Sequence, residues 1–139
     1  MMKKLLALAM ALVLTLTVPL AALAEEYDLA QGSITVEAKE DGKQYVTQED
    51  CNIRDEEQTT ETVIKQTDSK TTSTENTITI KAEENQTAEV TISDVNIDVS
   101  GTGSYDPRLG PVEGKAAISA EGDGNVTIEL EGDNTAKSG

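Results

Sequence analysis

Oxygen-bearing side chains on tight turns are the most chemically suggestive feature of this chain. Gly122-Asp123-Gly124-Asn125 and Gly132-Asp133-Asn134 set carboxylate and amide oxygens where the backbone must reverse, as the loops that bind hard cations do. Asp123 and Asp133 are therefore candidate calcium ligands. Their spacing matches neither the EF-hand loop nor a full GGxGxD repeat. Asp and Asn also occupy corners for a simpler reason: their side chains bond to nearby backbone and tolerate unusual φ. Both readings of these corners stay open. A second constellation, Tyr105, Asp106 and Arg108, combines one aromatic ring with polar neighbours, the least that a sugar-binding surface needs.

Catalysis finds little support. The chain has no His, which removes the commonest acid/base at neutral pH. It has no GxSxG or HExxH motif, and its one cysteine has no histidine partner. With 26 acidic residues, a pair of carboxylates at glycosidase spacing arises by chance. A polysaccharide lyase acting by β-elimination would need a calcium site and a basic side chain. Arg108, Lys115 and Lys137 are the candidates, and nothing singles one out. The expectation is a non-catalytic protein.

The elements that must hold these residues are strands. In 76–139, Ile78, Ile80 and Ala82 alternate with polar residues, as do Val90 and Ile92, then Val95, Ile97 and Val99. This is the period-2 signature of a strand with one buried face. Ile92 to Val95 is a step of three, so a straight strand would turn its apolar set outward there. A bend at Ser93-Asp94 keeps both sets facing one interior. The pattern recurs through Ala116, Ile118 and Ala120, then Val126, Ile128 and Leu130, with Val126-Thr127-Ile128 lying 36 residues after Val90-Thr91-Ile92. A repeat of this length marks a stacked architecture. Val90, Ile92, Val95, Ile97, Val99, Ile118, Val126, Ile128 and Leu130 are expected to face inward. On that basis Ile128→Asp is expected to unfold the protein. Residues 102–115, with two prolines and several glycines, read as a loop inserted between repeats, either a binding face or a tolerated insertion.

The earlier part is plainer. Residues 1–24 have the form of an export signal: Lys3-Lys4, an apolar run from Leu5 to Leu16, and Ala22-Leu23-Ala24 before a cleavage point. The run is short for a membrane span, so membrane insertion after cleavage is not expected. Cleavage leaves 9 basic residues against 26 acidic ones, a net charge of −17. That excludes a basic nucleic-acid footprint and disfavours anionic membrane surfaces. A lone Cys51 cannot form an intrachain disulfide; it is either a small buried residue or pairs with another molecule. Residues 25–32 read as a linker, Ile34, Val36 and Ala38 as one face of a strand, and Asp41-Gly42 as a turn. Tyr45-Val46-Thr47 could open a second strand. Residues 55–75 are nearly all polar and read as a solvent-facing strand pair, a mobile loop or, preferably, a terminal cap, so that 25–75 forms an N-terminal cap region. No stretch after the signal has sustained helical periodicity. An Ig-like sandwich is the rival all-β reading, and it would favour core aromatics that are scarce here.

The stretches VTISDVNIDVSG, AAISAEGDGNVTIELEGDNTAKSG and LAQGSITVEAKEDGKQYVTQ resemble those of secreted "carbohydrate-binding domain-containing" proteins of clostridia and other gut bacteria. The resemblance implies an all-β, right-handed parallel β-helix (solenoid) of pectate-lyase-like shape. It implies binding of plant polysaccharide, with calcium in some members. Its motifs concern rungs and corners, so they speak to architecture more than to ligand. The chain ends in mid-pattern after about two evident rungs, and so is expected to be the N-terminal part of a longer helix. Alone it is expected to be loosely folded or self-associating. The competing expectation is a structural stalk or adhesin module at the cell surface.

Overall fold

A computed structural model of the chain describes residues 24–139. The expected export signal, 1–24, thus lies outside the described residues except for Ala24. The described part is all-β, with two short 3-10 turns and no α-helix.

Three rows of strands account for most of it. In the first row, β1 (Glu25–Asp28), β5 (Thr62–Lys65), β7 (Thr87–Ser93) and β12 (Asn125–Glu131) lie side by side, all parallel. The second row places β2 (Ile34–Ala38), β6 (Ile78–Ala82) and β11 (Ile118–Glu121) in parallel order. It is extended beyond β2 by β3 (Gln44–Gln48) and β4 (Ile53–Gln58), both antiparallel. In the third row β8 (Asn96–Asp98) pairs in parallel with β13 (Thr135–Lys137), and Thr74 bridges Ile97 from the other side. The chain visits second, first and third row as β6, β7, β8, then again as β11, β12, β13. A hairpin of β9 (Ser104–Asp106) and β10 (Gly110–Val112) stands apart between the two passes.

Register turns the sequence alternation into ladders of like residues. Tyr27, Ile64, Ile92 and Leu130 form one, and Ile34, Ile78 and Ile118 another. Of these, Ile64, Ile92, Ile34 and Ile78 are fully or almost fully buried. Burying each such side chain contributes about 1.5–3 kcal/mol, so the ladders hold the rows together. The turn at Asp94 (φ +52) lets both Ile92 and Val95 point inward, as the step of three between them requires. Asp tolerates this left-handed conformation better than a β-branched residue would.

Side-chain amides complete the backbone pairing where strands run out. Glu89 of β7 has no β5 residue opposite it, because β5 begins at Thr62 and is in register only at Val63 and Ile64. Gln44 fills the gap: its Oε1 accepts from the Glu89 N–H at 2.8 Å and its Nε2 donates to the Glu89 carbonyl at 2.8 Å. Gln66 accepts from the Asn96 N–H (2.7 Å), and Asn134 accepts from the Val95 N–H (3.0 Å). Buried Gln48 donates to the Asp28 and Gly32 carbonyls. Among the described residues no buried side-chain nitrogen or oxygen lacks a partner, the condition for a polar group to be buried without loss. Asp28 ties the end of β1 to the chain after β5. Burial would raise its pKa, but bonds from the Thr67 hydroxyl and N–H and from the Ala30 N–H outweigh this and hold it below the usual carboxylate range.

Several expectations are corrected. The repeat runs at 38 residues along β7 and β12, pairing Val90 with Ile128 and Ala88 with Val126. The 36-residue match of the VTI triplets is thus slipped by two, which preserves the buried face. Ser100-Gly101 and Ser138-Gly139 already carry the 38-residue spacing. Ile128 and Leu130 are not core residues: they are 38% and 64% exposed, because no described strand lies beyond β12. Ile118 and Val126 are partly buried against the core, and Ala117, not Ala116, is the buried alanine before β11. Residues 25–32 are no linker, since Tyr27 and Leu29 are buried. Within 55–75, Thr62, Val63 and Ile64 form a buried strand rather than a loop. The 102–115 insertion holds the β9–β10 hairpin, with Pro111 on a two-stranded edge where it displaces no needed donor. Cys51 is half-buried, its Sγ near the Gln31 carbonyl at 3.5 Å.

Candidate functional site

The side chains that alternate with the core ladders of β7 and β12 face outward and form a floor. Glu89 lies beside Thr127, and Thr91 beside Glu129. Carboxylates and hydroxyls therefore alternate in both directions across the two strands. The β2–β3 turn and the β4–β5 connection stand over this floor and make it a groove of about 660 Å³, walled by Lys43, Gln44, Gln58 and Glu61. Thr91 is buried under the overhang and donates to Glu61 Oε1 at 2.6 Å. Gln44 Nε2 also donates to Thr62 Oγ1 at 2.9 Å, which locks the wall to the first row.

The groove is polar and carries an excess of negative charge. Three glutamates line it, and its one lysine, Lys43, pairs with Glu57 at 3.1 Å. Hydroxyls, amides and carboxylates can together accept and donate to a ligand rich in hydroxyl groups. An anionic ligand would meet the glutamates without a free cation to balance it. Among the described residues no aromatic ring lines the groove, so recognition there rests on hydrogen bonds. Sequence reasoning missed this site. Its floor was legible as the polar face of two strands, but the overhang depends on where residues 42–62 pack.

The residues expected to bind ligand lie elsewhere. Tyr105 and Arg108 belong to the β9–β10 hairpin, Tyr105 72% exposed and opposite Pro111. Asp106 is occupied locally, its Oδ1 accepting from the Arg108 N–H (2.7 Å) and the Leu109 N–H (3.3 Å). The hairpin therefore displays a ring and a guanidinium, but Asp106 serves the turn.

The two candidate calcium ligands lie on different corners. Asp123 sits on the β11–β12 turn and Asp133 on the β12–β13 turn. Among the described residues no three His, Cys, Asp or Glu side chains gather where they could hold a metal ion. Hydrogen bonds organise the second corner. The Asp133 N–H donates to Asp94 Oδ1 at 2.9 Å, and Asn134 Nδ2 donates to the Glu131 carbonyl at 2.9 Å. The Asn134 bond is the local side-chain-to-backbone kind that makes Asn a good corner residue, while the Asp94 carboxylate reaches the corner from 39 residues earlier in the chain. Comparison with family models, curated proteins and solved structures gave no match to this chain.

Proposed function

We propose that this chain is a non-catalytic polysaccharide-binding module of an exported bacterial protein, built as a right-handed parallel β-helix. In this reading β3 and β4 cap its first coil. Three features support it: the leader-like residues 1–24, the parallel strand order with its stacked ladders, and the sequence resemblance to secreted carbohydrate-binding proteins. The observation that carries the ligand assignment is the groove over β7 and β12. Its hydroxyl, amide and carboxylate lining suits an extended, uncharged, hydroxyl-rich polymer. Its glutamates disfavour acidic polymers such as pectate.

Co-sedimentation with insoluble polysaccharides tests this. The mature chain should be retained on at least one neutral plant polysaccharide and not on cross-linked pectate, with or without chelator. Retention on pectate that is lost in chelator would overturn the assignment in favour of calcium-bridged binding. No retention on any polysaccharide would overturn it too, leaving a structural stalk or adhesin module as the reading.

A further inference from the structure

The outer edge of β12 has no strand partner among the described residues. The Asn125 N–H donates to the Gln86 carbonyl, and the Glu131 carbonyl accepts from the Asp94 N–H. Backbone groups alternate in direction along a strand, so residues 125, 127, 129 and 131 are satisfied on the β7 side. The N–H and C=O groups of Val126, Ile128 and Leu130 therefore point outward. These three side chains also continue the apolar ladders of Ala88, Val90 and Ile92, yet Ile128 and Leu130 stand exposed.

The geometry points to a second copy of this chain as the partner, bound edge to edge through β12 in antiparallel register about a two-fold axis at Ile128. This inference is independent of the polysaccharide reading. A two-fold axis at Ile128 pairs Ile128 with Ile128 and Val126 with Leu130 of the other copy. All three outward-pointing residues then exchange hydrogen bonds, and the apolar row closes across the seam. On the outer face Thr127 meets Glu129, so no two acidic residues within β12 face each other; Asp123 and Asp133 come opposite one another only on the turns beyond it. The neighbouring registers are worse: an axis at residue 129 sets Glu129 against itself and Val126 against Gly132, and one at 127 leaves Leu130 opposite Gly124, outside the strand. Like charges directly opposite destabilise a strand pair. Association also closes at two copies, because the opposite edges carry Asp55-Glu56-Glu57 on β4 and Glu25-Glu26 on β1. Charged edges of that kind resist pairing, and a two-fold contact leaves no free β12 edge for a third copy.

Sedimentation equilibrium of the mature chain at physiological salt tests the proposal. A monomer–dimer equilibrium is expected. Thr127 is exposed, so its charge can be changed without touching the core. Thr127→Lys should tighten dimerisation about fivefold and Thr127→Glu weaken it about fivefold, since each change acts twice across the seam. Ser73→Lys and Ser73→Glu, at an exposed position away from the β12 edge, control for the change in net charge. They should move the constant by less than about twofold. A monomer at every concentration would overturn the inference. So would open-ended oligomers, or Thr127 variants that behave like their Ser73 counterparts.

Discussion

Ile92→Asp will destabilise the fold severely, by at least about 4 kcal/mol, whereas Ile128→Asp will leave it largely intact. Both residues lie on the inner face of the first row, and the alternation in the sequence treats them alike. They differ in what lies on either side. Ile92 stacks between Ile64 and Leu130 and is fully buried, so a carboxylate there would have no water and no cation. Lost burial and an uncompensated charge together cost at least about 4 kcal/mol. That is a large share of the roughly 5–15 kcal/mol that holds a typical domain together. Ile128 has Val90 on one side only and is 38% exposed. Its replacement should cost about 1 kcal/mol. Urea denaturation at low protein concentration, followed by circular dichroism, separates the two. Equal loss of stability would mean that β12 is covered in solution as completely as β7.

At the Gly122-Asp123-Gly124-Asn125 corner, the glycines and not the aspartate will prove indispensable. The Gly124 N–H donates to the Ala82 carbonyl at 2.9 Å, which draws this turn down onto the β6–β7 turn below it. A Cβ on Gly124 would collide with the backbone carbonyl oxygens of Glu83 and Gln86. Neither is the end of a flexible side chain, so the two turns would have to separate. Gly122 adds a second constraint, with φ +92 and its own close approach to the Ala82 carbonyl. Gly124→Ala should therefore cost about 3 kcal/mol. Asp123→Ala removes only an exposed carboxylate, and should change stability by no more than about 0.5 kcal/mol. The measurement is the urea midpoint of each variant with and without millimolar calcium. A large loss in Asp123→Ala that appears only when calcium is present would give this corner the metal reading instead.

These two pairs of variants also mark what the sequence makes legible. Alternation located the strands around Ile34, Ile78, Val90, Ile97 and Val126, because a sheet with one buried face imposes a period of two. The parity break at Ser93-Asp94 located a corner for the same reason. Alternation carries no information about which strand neighbours which, so it could not tell buried Ile92 from edge-lying Ile128. Short or irregular strands escaped as well. Thr62-Val63-Ile64 is buried on both faces and reads as two stray apolar residues in a polar tract. Tyr27 and Leu29 gave no periodic signal, yet both are buried. The corner aspartates invited a metal because calcium loops and tight turns draw on the same residues for different reasons. The groove was hidden because its overhang comes from residues 42–62 and its floor from residues 87–91 and 127–129. What joins them is the contact of Gln44 and Glu61 with β7, which no local pattern announces.

The groove is the claim on which the functional reading stands, and mapping a bound ligand tests it most directly. Backbone amide chemical shifts of the mature chain should be recorded while soluble oligosaccharides cut from the retained neutral polysaccharide are added. The account predicts saturable shifts centred on Glu61, Glu89, Thr91, Thr127 and Glu129, with the β9–β10 hairpin undisturbed. Shifts confined to residues 104–112, or none at saturating oligosaccharide, would contradict it.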